Sequence, residues 1–154
     1  MASRVPKQIG VIGASSCPPE IYELAREVGR EIARRGYILI CGGLGGVMEA
    51  ACRGAKEEGG LTVGIIPMAH KEGANPYVDV VIATDMGHAR NVIIVHSSDG
   101  LVAVAGEEGT LSEIAIALKA GKPVVGLKSW DLGGRVPQAS SPREAVERLV
   151  GAWG

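Results

Sequence analysis

No phenylalanine occurs in the 154 residues, and three tyrosines and two tryptophans bring the aromatic share to only 3%. A core without aromatic bulk has to be filled by Val, Ile, Leu and Ala, which suits buried parallel strands covered by small-residue helices. Neither sign of charge is in excess. Sixteen Lys and Arg against seventeen Asp and Glu leave a net charge of −1, which excludes the basic footprint of a nucleic-acid binder. No apolar run approaches the roughly 20 residues of a membrane span, and the start, MASRVPKQIG, has no apolar leader segment. Cys17, Cys41 and Cys52 are odd in number and lack the close pairing of a zinc site. Together these absences point to a reduced, cytoplasmic protein with no membrane and no nucleic-acid partner. His70, His88 and His96 are not spaced as helical metal ligands, so no metal is expected.

What the chain does have is 46% apolar residues and 23 glycines, gathered at the ends of apolar runs and not in a low-complexity block. Short runs of strand character alternate with amphipathic stretches. The pattern predicts strands at 8–13, 37–41, 61–68, 78–83, 101–105 and 123–127. Helices are expected to start at Cys17-Pro-Pro-Glu20 and after the glycine loop 42–46, and to run over 86–96, over 110–120 and from about Ser141 to Val150. Residues 1–7 read as a short tail, and 128–140 as a patternless, mobile loop. This alternation predicts one α/β domain over 1–154, a doubly wound, mainly parallel sheet with helices on both faces. Right-handed crossovers then bring the strand C-terminal ends to one rim.

Three glycine-bearing strand ends should share that rim: Gly13 with Ser15, the run Gly42, Gly43, Gly45 and Gly46, and Gly106 with Gly109 and Thr110. A strand, a tight loop and a helix N-terminus make an anion site, because the first helical N–H groups lack partners and glycine admits close approach. A small phosphorylated ligand is the expected partner. The familiar glycine motifs do not fit. Met48 stands where the third glycine of the dinucleotide fingerprint belongs, and no G-x-x-x-x-G-K-[ST] occurs.

GGLGGVMEA at 42–50, Met86-Gly-His-Ala-Arg90 and Gly106-Glu-Glu-Gly-Thr-Leu-Ser-Glu113, in that order, resemble the Lonely Guy family of Rossmann-like proteins. Its motifs run P-G-G-x-G-T-x-x-E and M-x-x-R-K, and lysine decarboxylase-like is an older label for some members. The resemblance spans Gln8 to about Leu127. It implies a homodimer or higher oligomer and phosphoribohydrolase chemistry, in which the N-glycosidic bond of a nucleoside 5′-monophosphate is cut. Glu113 would then act at the anomeric carbon and Arg90 on ribose or phosphate oxygens.

The chain departs from those motifs at Ala105 for the proline, Glu107 for the second glycine and Asn91 for the lysine. Its wording looks closest to the smaller branch that includes a molybdenum cofactor carrier, whose ligand is a phosphorylated pterin. That branch implies a retained phosphate site with altered or absent catalysis. No cofactor is required, and a bound nucleotide or phosphorylated pterin is the ligand class expected. Binding without turnover is the leading reading and hydrolysis the alternative.

Residue by residue, plainer roles compete. Thr110-x-x-Glu113 also reads as a capping box, Arg90 as a surface ion pair, Ser15 as a helix cap, and Met48 and Met86 as core filling in place of a base or pterin pocket. Cys41, at a strand end beside the glycine loop, is the cysteine to test for reactivity.

Overall fold

The computed structural model describes residues 5–153; residues 1–4 of the expected tail, and Gly154, lie outside them. The strands are β1 (Gln8–Ile12), β2 (Ile38–Cys41), β3 (Thr62–Ile66), β4 (Val80–Ala83), β5 (Gly100–Val104) and β6 (Val124–Leu127). All pair in parallel, in the order β4-β3-β2-β1-β5-β6. The chain builds outward from β1 to β4, then returns to the other side of β1 with β5. That reversal leaves a crevice between β1 and β5 at the strand C-terminal ends, where ligands bind in open α/β sheets.

The helices are α1 (Pro19–Arg34), α2 (Gly46–Glu57), α3 (Asn91–Ser97), α4 (Glu108–Lys119) and α5 (Pro142–Ala152). α1, α2 and α5 cover one face through Ile21, Val28, Ile32, Val47, Val146 and Leu149. α3 and α4 cover the other through Ile94, Val95, Ile114 and Ala117. Each Val, Ile or Leu among them contributes roughly 1.5–3 kcal/mol by leaving water. β1 and β5, covered on both faces, are buried nearly throughout; β4, at the edge, exposes Val80 and Ile82.

Local chemistry sets the helix ends. Pro18 and Pro19 open α1, whose turn after Arg34 closes at Gly36 with φ 76° and bonds from Gly36 N to Ala33 O and from Tyr37 N to Ile32 O. Ser141 caps α5 by accepting the Glu144 N–H at 3.2 Å, while the Glu144 carboxylate reaches back to Ser140 N at 3.2 Å.

Three expectations change. The helix foreseen over 86–96 is a 3-10 turn, Gly87–Arg90, running into the short α3. Gly87 at φ 58° cannot join an α-helix. α4 begins at Glu108, two residues early, so Thr110 lies inside its first turn; Glu107 is the N-cap and makes no side-chain cap bond. The capping box therefore does not form. Segment 128–140 is tied along β6 by Gly126 N to Pro137 O and Ala139 N to Gly126 O, both 2.8 Å, and by the buried Val136.

α1 and α2 cross with their backbones in contact. A Cβ on Gly54 would stand 1.8 Å from the Arg26 carbonyl oxygen, and one on Gly29 1.9 Å from that of Ala51. Gly54→Ala should therefore lose about 1–3 kcal/mol to overpacking, although alanine favours an isolated helix by about 1 kcal/mol. Denaturant melts check this; an unchanged or raised midpoint would contradict the close crossing.

Candidate functional site

A cleft of about 230 Å³ opens over the crevice between β1 and β5. Its walls come from the turn after β1 (Gly13, Ala14, Ser15), the turn after β2 (Gly42, Leu44) and Met48 of α2. The opposite wall is His88, Arg90 and Asn91, then the start of α4 from Glu107 to Thr110, with Glu113 beneath. The structure thus brings together Gly13, Ser15, Gly42, Met48, Arg90, Gly109, Thr110 and Glu113. Gly43, Gly45, Gly46, Met86 and Gly106 do not line it, and Met86 is 48% exposed.

The glycines outside the cleft serve the chain's own packing. Gly46 has φ 59°, and a Cβ there would meet the Ala14 carbonyl at 2.4 Å, at the contact where Val47 N donates to Ala14 O at 3.0 Å. That bond locks the β1 and β2 turns together. Gly109 differs: it lines the cleft in the first turn of α4, it is exposed, and a Cβ there would meet nothing within 4 Å. Ala105 takes φ 46° and Gly106 φ 98° just before it. Proline is held near −65° and cannot adopt that conformation, so replacement of the motif's proline accompanies a different loop path.

Arg90 is only 7% exposed. Its Nε donates to Ile65 O at 2.9 Å and Nη2 to Gly42 O at 3.4 Å, while Nη1 donates to Asn91 Oδ1. The guanidinium thus clamps the C-terminal ends of β2 and β3. Asn91 Nδ2 donates to Ser112 Oγ at 3.4 Å, and that hydroxyl donates to Gly109 O at 2.7 Å, which carries the network to α4. Among the described residues three of the five guanidinium donors have a partner. Asn91, in the place of the motif's lysine, thereby joins Arg90 to α4 in the cleft wall.

Glu113 is 8% exposed and among the described residues its carboxyl has no hydrogen bond or close ion pair. Burial raises its pKa to about 7, with the Arg90 charge pulling the other way; burial in turn lowers the Arg90 pKa. Near neutral pH this carboxyl is shared between acid and carboxylate, as acid–base work requires. Glu107 and Glu108 are exposed at the mouth and oppose a phosphate at the N-terminus of α4. Sequence reasoning missed His88 and Leu44 as cleft residues; neither spacing nor residue type marks them.

Between the ordinary glutamate pKa of 4.5 and about 7, the folded state holds a proton on Glu113 that the unfolded state releases, so stability falls as pH rises through that window. Relative to Glu113→Gln, the wild type should lose stability on the order of 3 kcal/mol across it. Paired thermal melts at stepped pH check this; a difference flat with pH would contradict the raised pKa.

A sequence profile described as the SLOG cluster4 family matches residues 6–149. An uncharacterised protein of Archaeoglobus fulgidus is 55% identical over 93% of this chain and 94% of its own. A cytokinin riboside 5′-monophosphate phosphoribohydrolase of Mycobacterium tuberculosis is 37% identical over 89% of this chain and 82% of its own. The solved structure of the molybdenum cofactor binding protein of Rippkaea orientalis superposes with a TM-score of 0.93 at 38% identity, covering 99% of this chain and all of that one. Both the profile and these relatives span the strands and turns that build the cleft. The chain belongs to the SLOG cluster4 family, within the Lonely Guy-like superfamily of Rossmann-like proteins.

Proposed function

We propose that the cleft binds a phosphate-bearing nucleotide or nucleotide-like cofactor, a phosphorylated pterin included, and holds it without turning it over. The observation that carries this reading is the first turn of α4 at the switch point of the sheet, where Glu108, Gly109 and Thr110 line the cleft and the N-cap makes no side-chain bond to the helical N–H groups. The likeness to a molybdenum cofactor binding protein over the whole chain supports it. So does the commitment of Arg90 to Ile65, Gly42 and Asn91, which makes that side chain a support for the floor. In the same reading the exposed apolar edge at Val80 and Ile82 is where a second copy packs in a homodimer or higher oligomer.

Hydrolysis of nucleoside 5′-monophosphates to base and ribose 5-phosphate is the second reading, and Glu113 favours it. A buried carboxyl with a pKa near 7, facing the cleft, can protonate a leaving base or activate a water. The likeness to phosphoribohydrolases supports this alternative.

A chromatographic assay separates the two. The purified protein is incubated with several nucleoside 5′-monophosphates and free base is quantified, with Glu113→Gln in parallel. The binding reading predicts no base release by either protein, while the same nucleotides or pterin phosphates raise the melting temperature. Release by the wild type that falls at least about 100-fold in the variant would overturn it in favour of hydrolysis.

A further inference from the structure

The cleft chemistry leaves one buried pair of nucleophilic side chains unused. Cys41 is the last residue of β2 and Cys52 lies in α2. The chain leaves the sheet at Cys41, passes through the glycine loop and folds back as α2, which brings the two side chains together beneath that loop. Both are 0% exposed, and their Sγ atoms are 3.4 Å apart, one thiol donating to the other. Cys41 Sγ also accepts the Gly43 N–H at 3.3 Å. The third cysteine, Cys17, is partly buried and has no sulfur partner among the described residues.

The pair is asymmetric. The thiol of Cys41 is shifted down by the hydrogen bond from Cys52, against the opposing effect of burial, with help from the Gly43 N–H and the charge on Arg90. That same hydrogen bond, together with burial, pushes the Cys52 thiol up. The Gly43 N–H bonded to its sulfur and the neighbouring Arg90 charge favour negative charge on Cys41, which suits it to act as the nucleophile with Cys52 as the resolving thiol. The next residue, Gly42, lines the cleft and accepts a hydrogen bond from Arg90. A covalent change at Cys41 acts on the anchor of the cleft floor.

We propose that Cys41 and Cys52 are a reversible disulfide-forming pair, oxidised by a small hydroperoxide, that ties the end of β2 to α2 directly beneath the ligand cleft. The Cys41 thiolate attacks one peroxide oxygen, the O–O bond breaks, and a sulfenic acid forms on Cys41 as the other oxygen leaves as hydroxide. The Cys52 sulfur then attacks the Cys41 sulfur, loses its proton and expels the second oxygen as hydroxide, which that proton converts to water. In total, two thiols and one hydrogen peroxide give one disulfide and two waters; the sulfurs lose two electrons and the peroxide gains them. A dithiol reductant reverses the step by thiol–disulfide exchange. Burial favours an oxidant as small as hydrogen peroxide over bulky aromatic disulfides, which would have to part α2 from the sheet.

The test uses the full chain, without ligand. After treatment with hydrogen peroxide and removal of the excess, the protein is denatured, alkylated and digested with trypsin. Cleavage after Arg35 and Arg53 leaves both cysteines in one peptide, 36–53. That peptide should lose the mass of two hydrogens and take up no alkyl group, while Cys17 stays alkylatable. Prior reduction should restore two alkyl groups on it. The oxidised protein should also melt several degrees above the reduced one, because the cross-link constrains the unfolded chain. Cys52→Ser should leave a sulfenic acid on Cys41 that dimedone traps when the oxidised variant is unfolded in its presence. Peptide 36–53 still taking two alkyl groups, separate oxidation of the two sulfurs without linkage, or preferential cross-linking of chains through Cys17 would each overturn the proposal.

Discussion

A guanidinium held at the C-terminal rim of a parallel sheet has to find acceptors there, and the carbonyls that end β2 and β3 are what Arg90 finds. The cost of burying that charge is met by Ile65 O, Gly42 O and Asn91 Oδ1, with Glu113 supplying an opposite charge at longer range. Gly42 carries no side chain because a Cβ would stand 2.7 Å from Arg90 Nη2. Asn91 is fixed between Arg90 and Ser112, and Ser112 holds the carbonyl of Gly109. The turn after β2, the end of β3 and the start of α4 are thus parts of one arrangement.

The same arrangement sets the character of Glu113. The sheet and the rest of α4 take Glu113 largely out of water, and among the described residues no donor hydrogen-bonds its carboxylate. The result is a proton held near neutrality at the base of a cleft whose mouth carries Glu107 and Glu108. Electrostatically the two ends of the start of α4 disagree: backbone N–H groups favour an anion and two exposed carboxylates oppose it. A ligand that satisfies both has a phosphate and also N–H or O–H donors for the carboxylates. A nucleotide and a phosphorylated pterin each meet that description.

Most of the architecture was legible in the sequence because it follows from periodicity. Val and Ile runs buried on both faces, helices opened by Pro19 or Ser141, and glycines at strand ends produce the element order with few alternatives. The rim followed from the parallel sheet, and the likeness to Lonely Guy motifs singled out Arg90 and Glu113. What the sequence did not disclose depends on single backbone angles and on distant partners. The positive φ of Gly87 divides 86–96, and an α4 starting at Glu108 takes Thr110 out of the cap position. Segment 128–140 shows no periodicity, yet Gln138 and Val136 fasten it to β6 and to the core. Glycine also hid its purpose: Gly54 and Gly29 let two helices touch, Gly46 lets two turns lock, and Gly109 leaves room above a helix end. Composition cannot tell these roles apart.

The proposed site would bring a ligand phosphate and the Glu113 carboxyl into one cleft beside Arg90. The most direct measurement is a carbon-13 NMR titration of the Glu113 carboxyl, assigned with Glu113→Gln, in the empty protein and in the presence of saturating nucleoside 5′-monophosphate or pterin phosphate. The expected midpoint is near 7 in the empty protein, with a further upward displacement when the anionic ligand is bound. A midpoint in the ordinary carboxylate range, unmoved by any of these ligands, would contradict it.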